Sequence, residues 1–501
     1  MKSENISPNI LNFIVSPTQM AIDQKMVAYD IWATLAHVIM LYKTGILPTE
    51  KAVKIVKALK EIGEEYKNGK FSIDPQKGAQ LSLEAKIVEK AGDIAGLSAH
   101  TGRSRNDQVM VTELLYLKEK LTQTIENVAD LVDELLTLSK KHVETVFPGY
   151  THMQPAKPTT FAHWCLAQSD GLLKACDQLI FTYEQYDLCP LGSAESYGTS
   201  WPIDRNLTAS LLGFSDVWEI PLHAISSRGV FQLAILDGFT QLAIATSKLA
   251  ADLLLYSTFE FGLVSFGENV SQRLHPVTGS SIMAQKKNPD TLELVRSTAP
   301  QITGLYQAVA GLLTALPSGY NRDTREIKEY IEIAFTKVNT MLVALHAVIS
   351  TLAINKKRAL ELVKSNYSLT TEVADFLSQK SHAPYRLIYK IVGQAVDEAI
   401  KLNKPIGSIT ASQLIASARE LGVDINISDD DLKEALDPSN ALEKKKHIGG
   451  TNSQVTNTLI LKRIAKSNKL KQWVVNKSEK TSKSKKKTFD MAEAMTKGES
   501  I

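Results

Sequence analysis

Between Thr112 and Val143 the chain sets Leu114, Leu121, Val128 and Leu135 at seven-residue intervals, with Ile125 and Val132 offset between them. That spacing draws one apolar stripe along a helix of about 30 residues, roughly 45 Å at 1.5 Å per residue. Such a helix cannot bury its stripe alone. Similar patterns over Met26–Lys43, Gly229–Tyr256, Thr291–Leu316 and Glu326–Ala353 supply partners, the fourth kinked at Pro300 and Gly304. Period-two alternation is scarce and no glycine-rich strand-to-helix turn appears, which disfavours an α/β nucleotide-binding fold. The expectation is an all-α protein: a long central helical bundle flanked by smaller N- and C-terminal helical domains. The boundaries read as 1–100 for the N-terminal helical domain, 101–354 for the bundle, and 355–465 for the C-terminal domain. A lysine-rich tail, 466–501, follows.

Composition, 44% hydrophobic and 22% charged over 501 residues, is that of an ordinary globular protein with a large core. Three cysteines without ligand spacing, and no basic segment leading into an apolar stretch at the N-terminus, point to a cytoplasmic setting. No run approaches about 18 uninterrupted apolar residues, so no membrane partner is expected. The net charge of +3 divides unevenly. Lys462 to Lys487 carries eleven Lys and Arg against one Glu, a local +10, leaving about −7 for the rest. A basic extension can attract nucleic acid, but a solvated, disordered tail is the preferred reading, with no nucleic-acid partner.

Three polar segments interrupt the helical pattern. His100-Thr101-Gly102-Arg103-Ser104-Arg105-Asn106-Asp107-Gln108 stands at the start of the heptad helix, offering a turn, cations suited to carboxylate and amide donors. An alternative is a capped helix start with Arg103 and Arg105 in surface ion pairs. Gly149-Tyr150-Thr151-His152-Met153-Gln154-Pro155-Ala156-Lys157-Pro158 is held out of helix by two prolines, leaving Thr151 and His152 to project. A histidine is the default proton handler near neutrality, although a lone loop histidine is more often structural. Gly279-Ser280-Ser281-Ile282-Met283-Ala284-Gln285-Lys286-Lys287-Asn288-Pro289-Asp290 gathers hydroxyls, ammonium groups and a carboxamide in a loop that suits a dicarboxylate.

The three segments together resemble the fumarase/aspartase superfamily, and His100–Val109 with Gln285-Lys286-Lys287-Asn288 resembles its argininosuccinate lyase branch. Tyr320-Asn321-Arg322-Asp323, Leu436-Asp437-Pro438 and Gly449-Gly450-Thr451 are similar to further landmarks of that branch. The resemblance implies reversible β-elimination of argininosuccinate to arginine and fumarate. It makes Ser280 the base, with Lys286 and loop N–H groups stabilising its alkoxide, and places His152 on the leaving-group side backed by Glu293. Lys286 and Asn288 would hold the developing aci-carboxylate. Ser104, Arg105, Asn106, Thr151, Ser281, Asn288, Tyr320, Arg325 and Lys328 would bind the N-substituted succinate. It further implies a homotetramer whose active sites draw the segments from different subunits, with no metal and no organic cofactor.

Several positions depart from the branch's pattern. Ala284 stands where the loop usually has Pro, and Leu11-Asn12-Phe13-Ile14-Val15-Ser16 replaces a Trp-Gly-Gly-Arg-Phe segment. Lys77-Gly78-Ala79-Gln80 replaces Glu-Asp-x-His, Ile220-Pro221-Leu222-His223-Ala224-Ile225-Ser226-Ser227-Arg228-Gly229 replaces an acidic Asn-Ser-x-Asp-Ala-x-Ser-Asp/Glu-Arg-Asp segment, and Arg325 replaces Gln while Lys328 is retained. An added cation suits an extra carboxylate, so a fumarate-releasing lyase for another N-succinyl amine, such as an aminopolycarboxylate, is the alternative reading. A catalytically silent structural relative is the other.

Overall fold

A computed structural model describes residues 7–501; the side chains of Leu11 and Asn12, inside the departing N-terminal segment, lie outside the described residues. Helices α1 (Pro8–Ile14), α2 (Pro17–Lys43), α3 (Thr49–Lys67), α4 (Gly78–Ala91) and α5 (Asp93–Leu97) lead to the long α6 (Arg105–Lys141). A hairpin, β1 (Val146–Thr151) and β2 (Gln154–Thr160), joins α6 to α7 (Phe161–Gln185). Short elements follow: β3 (Leu188–Cys189), α8 (Arg205–Leu211), β4 (Asp216–Val217) and α9 (Pro221–Ser226). Then come α10 (Val230–Tyr256), β5 (Val264–Ser265), α11 (Asp290–Leu313), α12 (Ile327–Ser350) and β6 (Ala353–Ile354). The last part comprises α13 (Lys356–Ser365), α14 (Thr370–Ser381), α15 (Tyr385–Lys401), α16 (Ala411–Glu420), α17 (Asp429–Ala435), α18 (Pro438–Glu443) and the 45-residue α19 (Ser453–Lys497).

The heptad stripe is the heart of the bundle. Leu114, Leu121, Ile125, Val128, Val132 and Leu135 are all buried, packed against α7, α12, α19 and α2. Ser104 caps α6 with its hydroxyl while Asp107 reaches back to the Ser104 N–H, a reciprocal cap that fixes where this helix starts. Pro300 stands inside α11. The three thiols are buried and unpaired; burial pushes Cys176 and Cys189 up to about 12, so they are core fillers.

Two of the expected boundaries need correction. Residues 22–62 of α2 and α3 belong to the same hydrophobic core as the bundle, so the N-terminal unit has no core of its own. A separate core does unite α13 through α18 (Val363 to Leu442), joined by Val146 of the hairpin. The boundary at 465, however, falls inside α19, which leaves that unit and runs back along the bundle.

The tail at 466–501 is not a disordered extension: it is helical to Lys497 and docked. Leu470, Val474, Ala492 and Met495 enter the bundle core, and Thr488 Oγ1 donates to Leu211 O at 2.7 Å. Its cations lie on the acid of the body. Arg463 pairs with Asp170, Lys466 with Asp177 and Lys477 with Glu184, three carboxylates seven residues apart on α7, while Lys471 pairs with Asp130 and Asp133 of α6. Four cations of the +10 segment thus meet carboxylates of α6 and α7, a match that composition taken segment by segment cannot reveal. Beneath these pairs Lys118 and Asp187 form a buried ion pair that Lys477 and Lys480 flank.

Candidate active site

Ser104, Arg105 and Asn106 open α6, and buried groups fix them there. Ser104 Oγ accepts the Asn106 N–H at 3.3 Å. Asp107, fully buried, accepts the Ser104 N–H with one oxygen and, with the other, the N–H groups of Gly192 and Ala194 at 2.8 and 2.9 Å. Burial pushes its carboxyl up to about 6 against those donors. Sequence reading passed over Asp107, although its place three residues after a capping Ser was the available signal. Arg205, also passed over, ties the 191–219 segment together through Leu191 O, Ser193 Oγ, Trp218 O and Glu219 O. Arg103 does not form a surface ion pair. It is buried, donating to Thr34 Oγ1 at 3.1 Å.

His37 supports the same turn from below, with Nε2 2.8 Å from the Thr101 carbonyl oxygen, to which it donates as a neutral ring. Burial, reinforced by Arg103, depresses its pKa from 6.5 to about 3. The unfolded chain takes up this proton near 6.5 and the folded chain near 3, so stability is lost as pH falls between them. From pH 7 to 5 this site removes about 2 kcal/mol of unfolding free energy. Urea titrations of the wild type and His37→Gln at both pH values should differ in their pH response by about that amount, Asp107 and the other titrating groups contributing alike to both.

At the same end of the molecule, Tyr320 lies under the Arg228 guanidinium, 5.2 Å from its ring centre. Gly319 N–H donates to Ser226 Oγ at 2.8 Å. Lys328 is brought here but is not free: it is buried and pairs with Asp23 at 2.7 Å and Glu113 at 3.1 Å. Arg325 donates to the Ile14 carbonyl, tying down the N-terminal segment, and Ser16 Oγ donates to Glu329 at 2.6 Å.

Thr151 and His152 lie elsewhere. They sit at the exposed tip of the β1–β2 hairpin, where His152 and Met153 both take positive φ, 53° and 59°. Two-residue hairpin turns demand such angles, and without Asn or Gly they store strain. Gly149 is required: a Cβ there would meet Lys157 O at 2.5 Å. The hairpin follows the C-terminus of α6, whereas Ser104–Asn106 precede its N-terminus. Thirty-seven helical residues separate the two segments by about 55 Å.

The loop carrying Ser280 belongs to the hairpin end. Tyr256, closing α10, packs edge-on against Phe147 of β1, and the loop runs from there to α11. Ser280 Oγ accepts the N–H groups of Met283 at 3.0 Å and Ile282 at 3.4 Å. Asn288 Nδ2 donates to Gly279 O at 3.3 Å, and Ser271 Oγ holds Asn288 O at 2.6 Å. Lys287 is spent on Phe266 O and Glu268, whereas the Lys286 side chain is exposed and forms no ion pair among the described residues. Ser281 is exposed beside Ser280, and Glu293 projects from the first turn of α11. Ile282, at 87% exposed, and Leu274, at 84%, leave apolar surface on the loop. No hydrogen bond joins this loop to His152 or to Ser104–Asn106 among the described residues, and no cluster of three or more His, Cys, Asp and Glu there is arranged for a metal ion.

Residues 16–304 match the Lyase family, and 367–443 match the argininosuccinate lyase C-terminal family. The chain is 36% identical over 442 residues to an argininosuccinate lyase of Methanosphaera stadtmanae, covering 88% of this chain and 93% of that protein. It is 37% identical to that of Leuconostoc mesenteroides, covering 86% and 90%. Among solved structures, EDDS lyase in complex with formate superposes with a TM-score of 0.84 at 27% identity, covering 96% of each chain. Class II fumarase of Schistosoma mansoni, at 17% identity and a TM-score of 0.67 over 87% of this chain and 92% of that one, shares the fold.

Proposed function

This chain belongs to the argininosuccinate lyase family of carbon–nitrogen lyases, and from that membership we propose that it splits argininosuccinate into arginine and fumarate. The observation that carries the account of the site is the separation along α6. Ser104–Asn106 and Tyr320 stand at one end of the bundle, Thr151, His152 and the Ser280 loop at the other. One protomer cannot bring them together, so each site is assembled from several copies, in the cytoplasm, as a homotetramer. The bundle is built for such contact: α10, α11 and α12 leave Ile244, Leu294, Ile333 and Val343 exposed. α10 and the Arg322–Ser350 segment are apolar enough to span a bilayer, but half or nearly half of each is already buried inside the bundle.

In the assembled site Ser280 Oγ takes the proton from the carbon next to the succinyl carboxylate. The electron pair becomes the double bond of fumarate as the carbon–nitrogen bond breaks, and the departing nitrogen receives a proton on the His152 side, with Glu293 behind it. A serine is a weak base unless its alkoxide is stabilised. The Met283 and Ile282 N–H groups already aimed at Oγ, with Lys286 nearby in sequence, supply that stabilisation. Lys286 and Asn288 hold the charge that moves into the carboxylate, and Ser104, Arg105, Asn106, Thr151 and Ser281 fix the fumaryl half.

A second reading has support at the Tyr320 end. A guanidinium product calls for an uncommitted carboxylate, yet Asp23 and Glu113 are taken by Lys328 and Arg228, and Arg325 adds a cation. Those features suit an N-succinyl amine that carries carboxylates of its own. Absorbance of released fumarate, measured with argininosuccinate beside a panel of N-succinyl aminocarboxylates, decides between them. Fastest release from argininosuccinate supports the first reading, and release confined to the aminocarboxylates supports the second.

A further inference from the structure

We infer that Glu372, clamped between Lys157 and Lys445, is a positioning residue for His152; this rests on the reading of His152 as part of the site. The hairpin is a wedge between two bodies. Its β1 face is packed onto the bundle through aromatic rings, Phe147 on Phe161 and Tyr256 at 5.1 Å each and Tyr150 on Phe261 at 5.6 Å. Its β2 side is held differently. Besides its packing on α18, β2 borders an open cleft of about 970 Å³, and polar contacts bridge that cleft to the α13–α18 unit. Lys157 Nζ lies 3.2 Å from Asp375 and 4.0 Å from Glu372. Lys445 Nζ lies 2.9 Å from Glu372 and donates to Pro158 O at 3.2 Å. Glu372, with only 11% of its side chain exposed, is among the described residues the one carboxylate within 4.0 Å of a cation from each side of the cleft.

Lys157 is five residues from His152 along a two-stranded ribbon whose tip extends beyond Tyr150, which packs on Tyr256 and Phe261. The tip residues 151–154 are all exposed, and both turn residues hold the left-handed φ that an unrestrained His-Met pair avoids. The orientation of the imidazole is therefore set in part by where β2 is anchored, and beside the buried Pro158 and the packing of β2 on α18 that anchor is ionic. A displacement of about 1 Å at a reacting group costs as much as a hundredfold in rate. Loss of the Glu372 charge takes from Lys445 its ion-pair partner and so loosens its hold on Pro158 O of β2, while Asp375 still holds Lys157.

The test compares Glu372→Gln, Glu372→Asp and, as a control lacking an ion pair on the same cleft that does not touch the hairpin, Asp431→Asn, all in the full-length protein. For Glu372→Gln the expectation is a kcat lower by about tenfold or more with KM within about twofold. Glu372→Asp should recover most of the rate, and Asp431→Asn should match the wild type. Amide hydrogen exchange over residues 149–156 should be about fivefold faster in Glu372→Gln alone. Unchanged kcat and unchanged exchange in Glu372→Gln overturn the inference, as does a rate loss that merely follows the folded fraction. If the wild type releases no fumarate from any substrate, the functional reading fails, and the exchange measurement still decides the role of Glu372.

Discussion

Ser280→Ala should turn over on the order of 10³-fold more slowly than the wild type while still binding its substrate, because removing a positioned base costs about 10²–10⁴ in rate. The side chain has no structural task that would confuse the result. It is half-buried, and its hydrogen bonds are two loop N–H groups that water can satisfy in its absence. The loss should therefore appear in kcat, with the dissociation constant for substrate, measured by calorimetry on the variant, within a few-fold of the wild-type KM. Lys286→Met should resemble it in kcat, since the ammonium is needed only as charge develops. Near-wild-type turnover by Ser280→Ala would remove Ser280 as the base.

Truncation after Ser467 should be nearly as severe, but in stability. The deleted segment carries Leu470, Val474 and Met495 into the core, and each buried side chain of that size contributes about 1.5–3 kcal/mol. It also takes away Lys477 and Lys480, which flank the buried Asp187, and Thr488, which meets Trp32 Nε1 and Leu211 O. A loss of about 5 kcal/mol is comparable with the whole stability of many proteins. Urea unfolding should show a sharply lower midpoint, or the truncated chain should fail to accumulate folded. A midpoint unchanged by truncation would mean that the last helix does not dock in solution. Because acid on α6 and α7 meets base on α19, the full-length protein should also lose more stability in high salt than the truncated one.

Much of the architecture was legible because helical periodicity is a local signal. The seven-residue repeat from Leu114 to Leu135 marks the buried stripe of α6, and the predicted Gly229–Tyr256 differs from α10 by one residue. The loop at 279–290 was legible too, since Gly and Pro punctuate it. What escaped was non-local. Three prolines in Val146–Thr160 mask the alternation that would announce a hairpin, and its His152-Met153 turn lacks the Asn-Gly signal of positive φ. The lysine-rich stretch reads as solvated only while Asp130, Asp133, Asp170, Asp177 and Glu184 are left out of account. Lys328, expected at the substrate, spends its charge on Asp23 and Glu113, a pairing that joins residues some 300 and 200 positions apart.

Sites shared between copies can be tested directly by mixing inactive variants. Arg105→Ala and His152→Ala each remove one end of the bundle from catalysis, and each alone should be inactive. When the two variants are unfolded together and refolded as mixed oligomers, some sites receive an intact α6 start from one chain and an intact hairpin from another. Fumarate release should then return to a substantial fraction of wild type. Mixed oligomers that form and remain as inactive as either parent would contradict the account.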